Sequence, residues 1–212
     1  MKTFLKTLIA LTLVSAFLLT GCDTTDVSSL TSENLLSDEE ALRTLESLLN
    51  KKIDFASYIM EMAEFKPHNI DGLETFEEGG LVYAEYVFSD FKNYQEETYG
   101  KLWDENIYGF SSIDEINNLI TSIFLTEEDA NYSDAIERIF KEKNGKLFYN
   151  LAEESPAPIL APDFETVKIV EKREDKIIFS GECYPYVTVP TNFSMVKNSN
   201  GDWRLTNDVY LG

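Results

Sequence analysis

Hydrophobic positions fall into three regimes along this 212-residue chain. Residues 7–19 form one uncharged, apolar-biased block. Between residues 42 and 63, Leu42, Leu45, Leu48, Leu49, Ile53, Ala56, Ile59, Met60 and Ala63 recur at helical steps and mark one buried stripe. From Arg138 onward, short runs of alternating character are broken by turn residues, the pattern of strands.

The boundaries of the elements follow from local chemistry. Ser37-Asp38-Glu39-Glu40 has the form of a capping box, so a helix is predicted to start there, run to about Phe65 and stop before Pro67. Residues 66–80, with Pro67, Asp71-Gly72 and Gly79-Gly80, are predicted as loop. Leu81–Phe88 predicts a strand and Leu102–Phe110 a second one. Ser112-Ile113-Asp114-Glu115 repeats the capping box, followed by the amphipathic set Ile113, Ile116, Leu119, Ile120, Ile123 and Phe124. Thr126–Glu137 predicts short helical turns capped by Thr126 and Ser133. Asn144-Gly145 between Arg138–Lys143 and Lys146–Asn150 predicts a hairpin with a type I′ turn. Residues 152–163, holding Pro156, Pro158 and Pro162, predict a stiff, extended loop. Glu165–Glu174 with Asp175–Tyr184, and Tyr186–Lys197 with Trp203–Tyr210, predict two more hairpins. Helices first and an antiparallel meander last give an α+β domain, its N-terminal helices packed on a curved antiparallel sheet. No internal repeat or low-complexity block interrupts it.

The first apolar block has a different fate. Lys2 and Lys6 precede it, and small Gly21 closes it just before Cys22, the order of a secretion signal. Its thirteen residues fall short of the roughly 20 that a bilayer span needs. Leu19-Thr20-Gly21-Cys22 resembles a bacterial lipobox. The resemblance implies diacylglyceryl transfer to the Cys22 thiol, cleavage before Cys22, and a lipid anchor on the outer face of the bacterial cell membrane. The expected organisation is a signal peptide over 1–21, a Ser-, Thr- and Asp-rich flexible tether over 22–36, and one α+β domain over 37–212.

Charge then narrows the partners. The chain has 18 Lys and Arg against 38 Asp and Glu, a net −20; loss of Lys2 and Lys6 with residues 1–21 leaves 16 against 38, a net −22. Such a field repels nucleic acid and anionic lipid heads and attracts basic partners. Only two cysteines are present. With Cys22 assigned to lipid, Cys183 has no intrachain disulfide partner and reads as a small buried hydrophobe. A thiol enzyme would need His68, the one histidine, which sits in a turn-like segment.

No His-Glu-x-x-His, cysteine cluster or glycine-rich phosphate loop occurs, and no cofactor or metal is expected. Asn198–Asp202 resembles a calcium loop only loosely, with Val196 where the first carboxylate belongs, and is expected to be a hairpin turn. The acidic doublets Glu77-Glu78, Glu96-Glu97, Asp104-Glu105 and Glu127-Glu128 follow from abundance, so no catalytic residues are expected. Two features bear on binding. One is the aromatic run Tyr83, Tyr86, Phe88, Phe91, Tyr94, Tyr99, Trp103, Tyr108 and Phe110, either a core or a stacking surface. The other is the proline-stiffened loop tipped by Ile159 and Leu160.

The second half carries a further resemblance. Ser112–Phe124, Asn144-Gly145-Lys146-Leu147-Phe148-Tyr149, Pro156–Pro162 and Asn200-Gly201-Asp202-Trp203 follow the order of a capped helix, a hairpin, a loop and a closing hairpin. Over roughly residues 80–208 this resembles the secreted inhibitors of peptidoglycan DL-endopeptidases found in Gram-positive bacteria. The resemblance implies a nuclear-transport-factor-2-like or cystatin-like fold and a non-enzymatic protein. Its partner would be the papain-like catalytic domain of a wall hydrolase, met by an acidic surface and a loop that plugs the cleft. The residues expected at that contact are Pro156, Pro158, Ile159, Leu160, Trp103 and Glu105. A small-ligand or glycan-binding module, and a structural lipoprotein of an envelope complex, remain as alternatives.

Overall fold

The computed structural model describes residues 35–65, 71–126, 133–151, 161–184 and 189–206. Helix α1 spans Asp38–Phe65. Its capping box forms as the sequence predicts: the Ser37 hydroxyl accepts from the Glu40 amide at 3.2 Å, and the Glu40 carboxylate accepts from the Ser37 amide at 2.9 Å. The buried face is wider than the predicted stripe. Ala41, Leu45, Leu48 and Leu49 are joined by Phe55, Tyr58, Met62 and Phe65, while Leu42, Ile53 and Met60 are only half-buried. The aromatic residues extend the stripe sideways, giving one helix a face broad enough to cover several elements.

Strands β1 (Thr75–Glu78) and β2 (Leu81–Glu85) come next, then α2 (Phe88–Tyr99), the one-turn α3 (Glu105–Tyr108) and α4 (Ile113–Ile123). Three of these correct the sequence reading. β1 lies inside the predicted loop 66–80, where Gly79 and Gly80 at φ 61° and 82° make the turn that pairs it with β2. Helix α2 occupies a stretch given no helix, because only Phe91 and Gln95 on it are buried. Leu102–Phe110, predicted as a strand, instead contains α3, started by the Asp104 carboxylate accepting from the Asn106 amide at 2.9 Å. Helix α4 matches its prediction, with Ile116, Ile120 and Ile123 buried and the Ser112 hydroxyl accepting from the Glu115 amide at 3.2 Å. Its far end is held by Arg204, whose Nε donates to the Thr121 carbonyl at 2.8 Å, a cation where the helix dipole is negative.

After α5 (Ser133–Ile139) come β3 (Phe140–Lys143), β4 (Lys146–Asn150), β5 (Ala161–Lys172), β6 (Lys176–Tyr184), β7 (Val189–Lys197) and β8 (Trp203–Leu205). Asn144 and Gly145 take φ 54° and 74°, as a type I′ turn requires. All strand pairs are antiparallel, in two sheets of four ordered β1-β2-β4-β3 and β5-β6-β7-β8. The architecture is therefore α+β, with its antiparallel strands in two hydrogen-bonded sheets. Helix α1 packs against β5 and β8 of the second sheet and against α2 and α4. One core joins these elements, from Leu45, Phe55 and Tyr58 on α1 to Tyr149 on β4 and Phe179 and Phe193 on β6 and β7.

Strand β5 begins at Ala161, inside the predicted loop, and Pro162 pairs with Cys183 of β6. Its register slips twice, between Asp163 and Lys168 and between Ile169 and Glu171. At the first slip Thr166 replaces the missing ladder bonds: its hydroxyl donates to the Asp163 carbonyl at 2.8 Å and accepts from the Glu182 amide at 2.9 Å. Such bulges bend the strand and increase its twist. Gly181 makes the bend fit, because a Cβ there would lie 2.9 Å from Val167 Cγ2 and 3.3 Å from Phe193 Cε2. Gly181→Ala is expected to cost about 1–2 kcal/mol through overpacking against a stiff β-branched side chain. The cost should shrink in the Val167→Ala background, a coupling that urea unfolding of the four proteins of the cycle would measure.

Candidate functional site

The segment from Tyr99 to Phe110 is held from below by aromatic rings. Tyr58 of α1 lies edge-on to Phe91, Trp103 and Phe110 at centroid distances of 5.0, 5.4 and 6.0 Å, and stacks on Tyr108 at 5.0 Å. The Tyr58 and Tyr86 hydroxyls bond to each other, and Tyr86 donates to the Tyr108 carbonyl at 2.8 Å. Burial raises all three phenols above the ordinary tyrosine value. Of the aromatic run, Tyr83, Tyr86, Phe91, Trp103, Tyr108 and Phe110 are buried, Phe88 and Tyr94 half-buried, and Tyr99 exposed. The run is thus mainly core, its rings packed on one another.

Trp103, expected at a partner contact, belongs to that core at 5 % exposure, because its ring fills space beside Tyr58 and Tyr108. Lys101 covers it, with Nζ 3.8 Å from the ring centroid and 2.9 Å from a Glu61 carboxylate oxygen. Glu105 is exposed on α3, with Lys92 Nζ 3.7 Å from its carboxylate. It lines an open groove of about 420 Å³ between α3 and α4, with Phe110 and Leu119 as apolar lining and Glu115 as a second carboxylate. Gly109 lets the chain turn tightly there, since a Cβ would meet the Glu105 carbonyl at 2.6 Å.

Cys22, Pro156, Pro158, Ile159, Leu160 and His68 lie outside the described residues. The flanks of the proline-rich segment are described. Leu151 donates from its amide to the Val82 carbonyl at 2.8 Å, and Ala161 pairs with Tyr184. Residues 152–160 therefore connect the first sheet to the second. Asn198–Asp202 forms the expected hairpin turn, with the Asn198 side-chain carbonyl accepting from the Asn200 and Asp202 amides, both at 2.9 Å.

Two interior groups remain. Cys183 is fully buried, as expected of a small hydrophobe, and burial raises its thiol above the ordinary value. Lys52 escaped the sequence reading because its neighbours Lys51 and Asp54 suggest a polar face, yet it is 6 % exposed, with Nζ 5.5 Å from the Phe124 ring centroid. Desolvation pushes its ammonium down to about 8. Among the described residues, no three His, Cys, Asp or Glu side chains are placed to hold a metal ion, and no helix is long and apolar enough to cross a membrane.

No family model, curated protein or solved structure matches this chain.

The titration directions give two expected outcomes. The Lys52 ammonium is easier to deprotonate folded than unfolded, so its burial penalty is full below about pH 8 and vanishes as the pH rises to the unfolded value of 10.5. Relative to Lys52→Met, the parent protein should therefore gain stability as the pH rises from 7 towards 10.5, by up to about 3 kcal/mol, as measured by urea unfolding across the range. The tyrosines have the opposite effect. Their folded values lie above the ordinary 10.0, with Tyr149 pushed up to about 12, so their contribution is present below pH 10 and lost above it. Alkaline unfolding should coincide with a cooperative rise in tyrosinate absorbance rather than follow it.

Proposed function

We propose that this protein is a lipid-anchored, extracytoplasmic inhibitor or regulator of cell-wall DL-endopeptidases that acts by binding rather than by catalysis. The observation that carries the reading is the carboxylate-bearing, apolar-lined groove at α3 and α4, fixed from below by Tyr58 and Tyr108. It offers a preformed acidic face on a chain of net charge −20. The signal and lipobox at 1–22 put such a face beside the wall, where basic hydrolases work. In this reading Cys22 carries the lipid, and the segment containing Pro156, Pro158, Ile159 and Leu160 enters the substrate cleft of a papain-like catalytic domain. The chain on either side is tied into strands, at Leu151 by Val82 and at Ala161 by Tyr184, so the ends of such a plug are fixed. The accompanying fold reading is a nuclear-transport-factor-2-like or cystatin-like domain, supported by the packing of α1 on β5 and β8.

A small-ligand module would use space among the aromatic rings. The contacts of Tyr58 with Phe91, Trp103 and Tyr108 fill that region, which favours protein binding over ligand enclosure.

The purified domain from residue 23 on should slow peptidoglycan hydrolysis by a DL-endopeptidase, and added salt should weaken the effect by screening. Replacement of residues 153–160 by a Gly-Ser segment of the same length, which keeps the span between Leu151 and the Ala161 pairing with β6, should abolish inhibition while circular dichroism shows the domain still folded. Absence of inhibition by the intact domain at micromolar concentration, across several such enzymes, would remove the proposal.

A further inference from the structure

We infer that exposed Ile107 and the groove it lines with Glu105, Phe110, Glu115 and Leu119 dock a basic, apolar-tipped segment of a protein partner. The identity of the natural occupant rests on the inhibitor reading, where this would be a second contact besides residues 152–160; the docking chemistry stands without it.

Seven large apolar side chains are exposed among the described residues, and three of them, Tyr99, Leu102 and Ile107, fall within nine residues at 52, 61 and 40 % exposure. The others are dispersed: Val82 on β2, Val170 at the β5 bulge, Tyr184 at the end of β6, and Leu35 before α1. An exposed apolar residue at the edge of a concavity rimmed by polar groups marks a contact surface rather than random exposure. Ile107 borders the groove together with Phe110 and Leu119, so the apolar surface continues into a concavity.

The charge around the cluster selects the occupant. Glu96, Glu97, Asp104, Glu105, Asp114 and Glu115 are all exposed in the flanking sequence. The two lysines of the same stretch are engaged: Lys101 with Glu61 and the Trp103 ring, and Lys92 with Glu105. The groove itself sets the Glu105 and Glu115 carboxylates beside apolar Ile107, Phe110 and Leu119. An acidic or nucleic-acid partner is repelled, whereas lysine or arginine side chains flanking a Leu- or Ile-type tip meet opposite charge and apolar contact together.

Rigidity supports the assignment. Tyr108 stacks inward on Tyr58, which leaves the preceding Ile107 facing out; Asp104 caps α3, and the tight approach at Gly109 closes it. Binding to such a surface orders few side chains and so forfeits little entropy.

The test uses the purified protein and a synthetic peptide of alternating lysine and leucine, followed by amide chemical shifts and calorimetry. Shifts should concentrate at residues 99–122. The Leu102→Ser/Ile107→Ser and Glu105→Lys proteins should each bind ~10-fold more weakly, with Val170→Ser unchanged. Shifts spread over other acidic faces, or equal affinity in all variants, overturn the inference. So does self-association of the parent protein that Ile107→Ser abolishes, because the occupant is then a second copy of the chain. A papain-like DL-endopeptidase catalytic domain separates the two proposals. Inhibition unchanged in Leu102→Ser/Ile107→Ser removes the hydrolase as the occupant of this surface and leaves an inhibitor reading that rests on residues 152–160 alone. Localised peptide binding without any hydrolase inhibition removes the inhibitor reading and leaves the docking surface.

Discussion

The broad aromatic face of α1 is the constraint on which the other elements depend. One 28-residue helix presents Leu45, Leu49, Phe55, Tyr58, Met62 and Phe65 to a common core. Neither α2 nor the single turn of α3 could persist alone, since short isolated helices are marginal in water. Tyr58 resolves this by giving Phe91 of α2, Trp103, Tyr108 of α3 and Phe110 a single ring to pack against. Its hydroxyl then needs a partner inside the protein, because an unpaired buried phenol is costly. Tyr86, following β2, supplies one and passes the chain of bonds to the Tyr108 carbonyl. Packing and hydrogen bonding thus converge on Tyr58 and Tyr108.

That arrangement explains why the surface above is shaped as it is. Residues whose rings point down become core, and their sequence neighbours are forced outward: Leu102 beside Trp103, Ile107 beside Tyr108. The apolar cluster is a consequence of alternation on a short, tightly curved segment. Glu105 and Glu115 add carboxylates to the groove that Ile107 lines. The same carboxylates bias which partner can approach.

Elements with a strong local signal were legible from residues alone. Ser37 and Ser112 announced their helices through hydroxyls that do bond the amides three residues on, and Asn144-Gly145 announced its hairpin through positive φ angles. Elements made by distant contacts were not. Helix α2 buries only Phe91 and Gln95, too few positions to give a periodicity. β1 exists because β2 pairs with it across Gly79-Gly80, and its burial pattern alternates hardly at all. For Trp103, composition could not separate a stacking surface from a core, since the same rings serve both; only the approach of Tyr58 and the cover of Lys101 decide it. Lys52 is the reverse case, a charge that belongs outside by type and is buried by the width of the helix face.

The sequence by itself determined the long first helix, α4 and the antiparallel strands of the C-terminal half, their main caps and turns, the acidic charge, and an N-terminus that resembles an export and lipidation signal. These are properties of neighbouring residues or of simple sums, so no fold is needed to read them. Tertiary structure alone decided that the strands divide into two sheets, that β4 and β5 fall on different ones, and that β5 bends over Gly181. It also decided that Trp103 faces inward while Leu102 and Ile107 face out beside a groove edged by Glu105. Each of these turns on which atoms, far apart in the chain, compete for the same space. Local propensity carries no record of that competition.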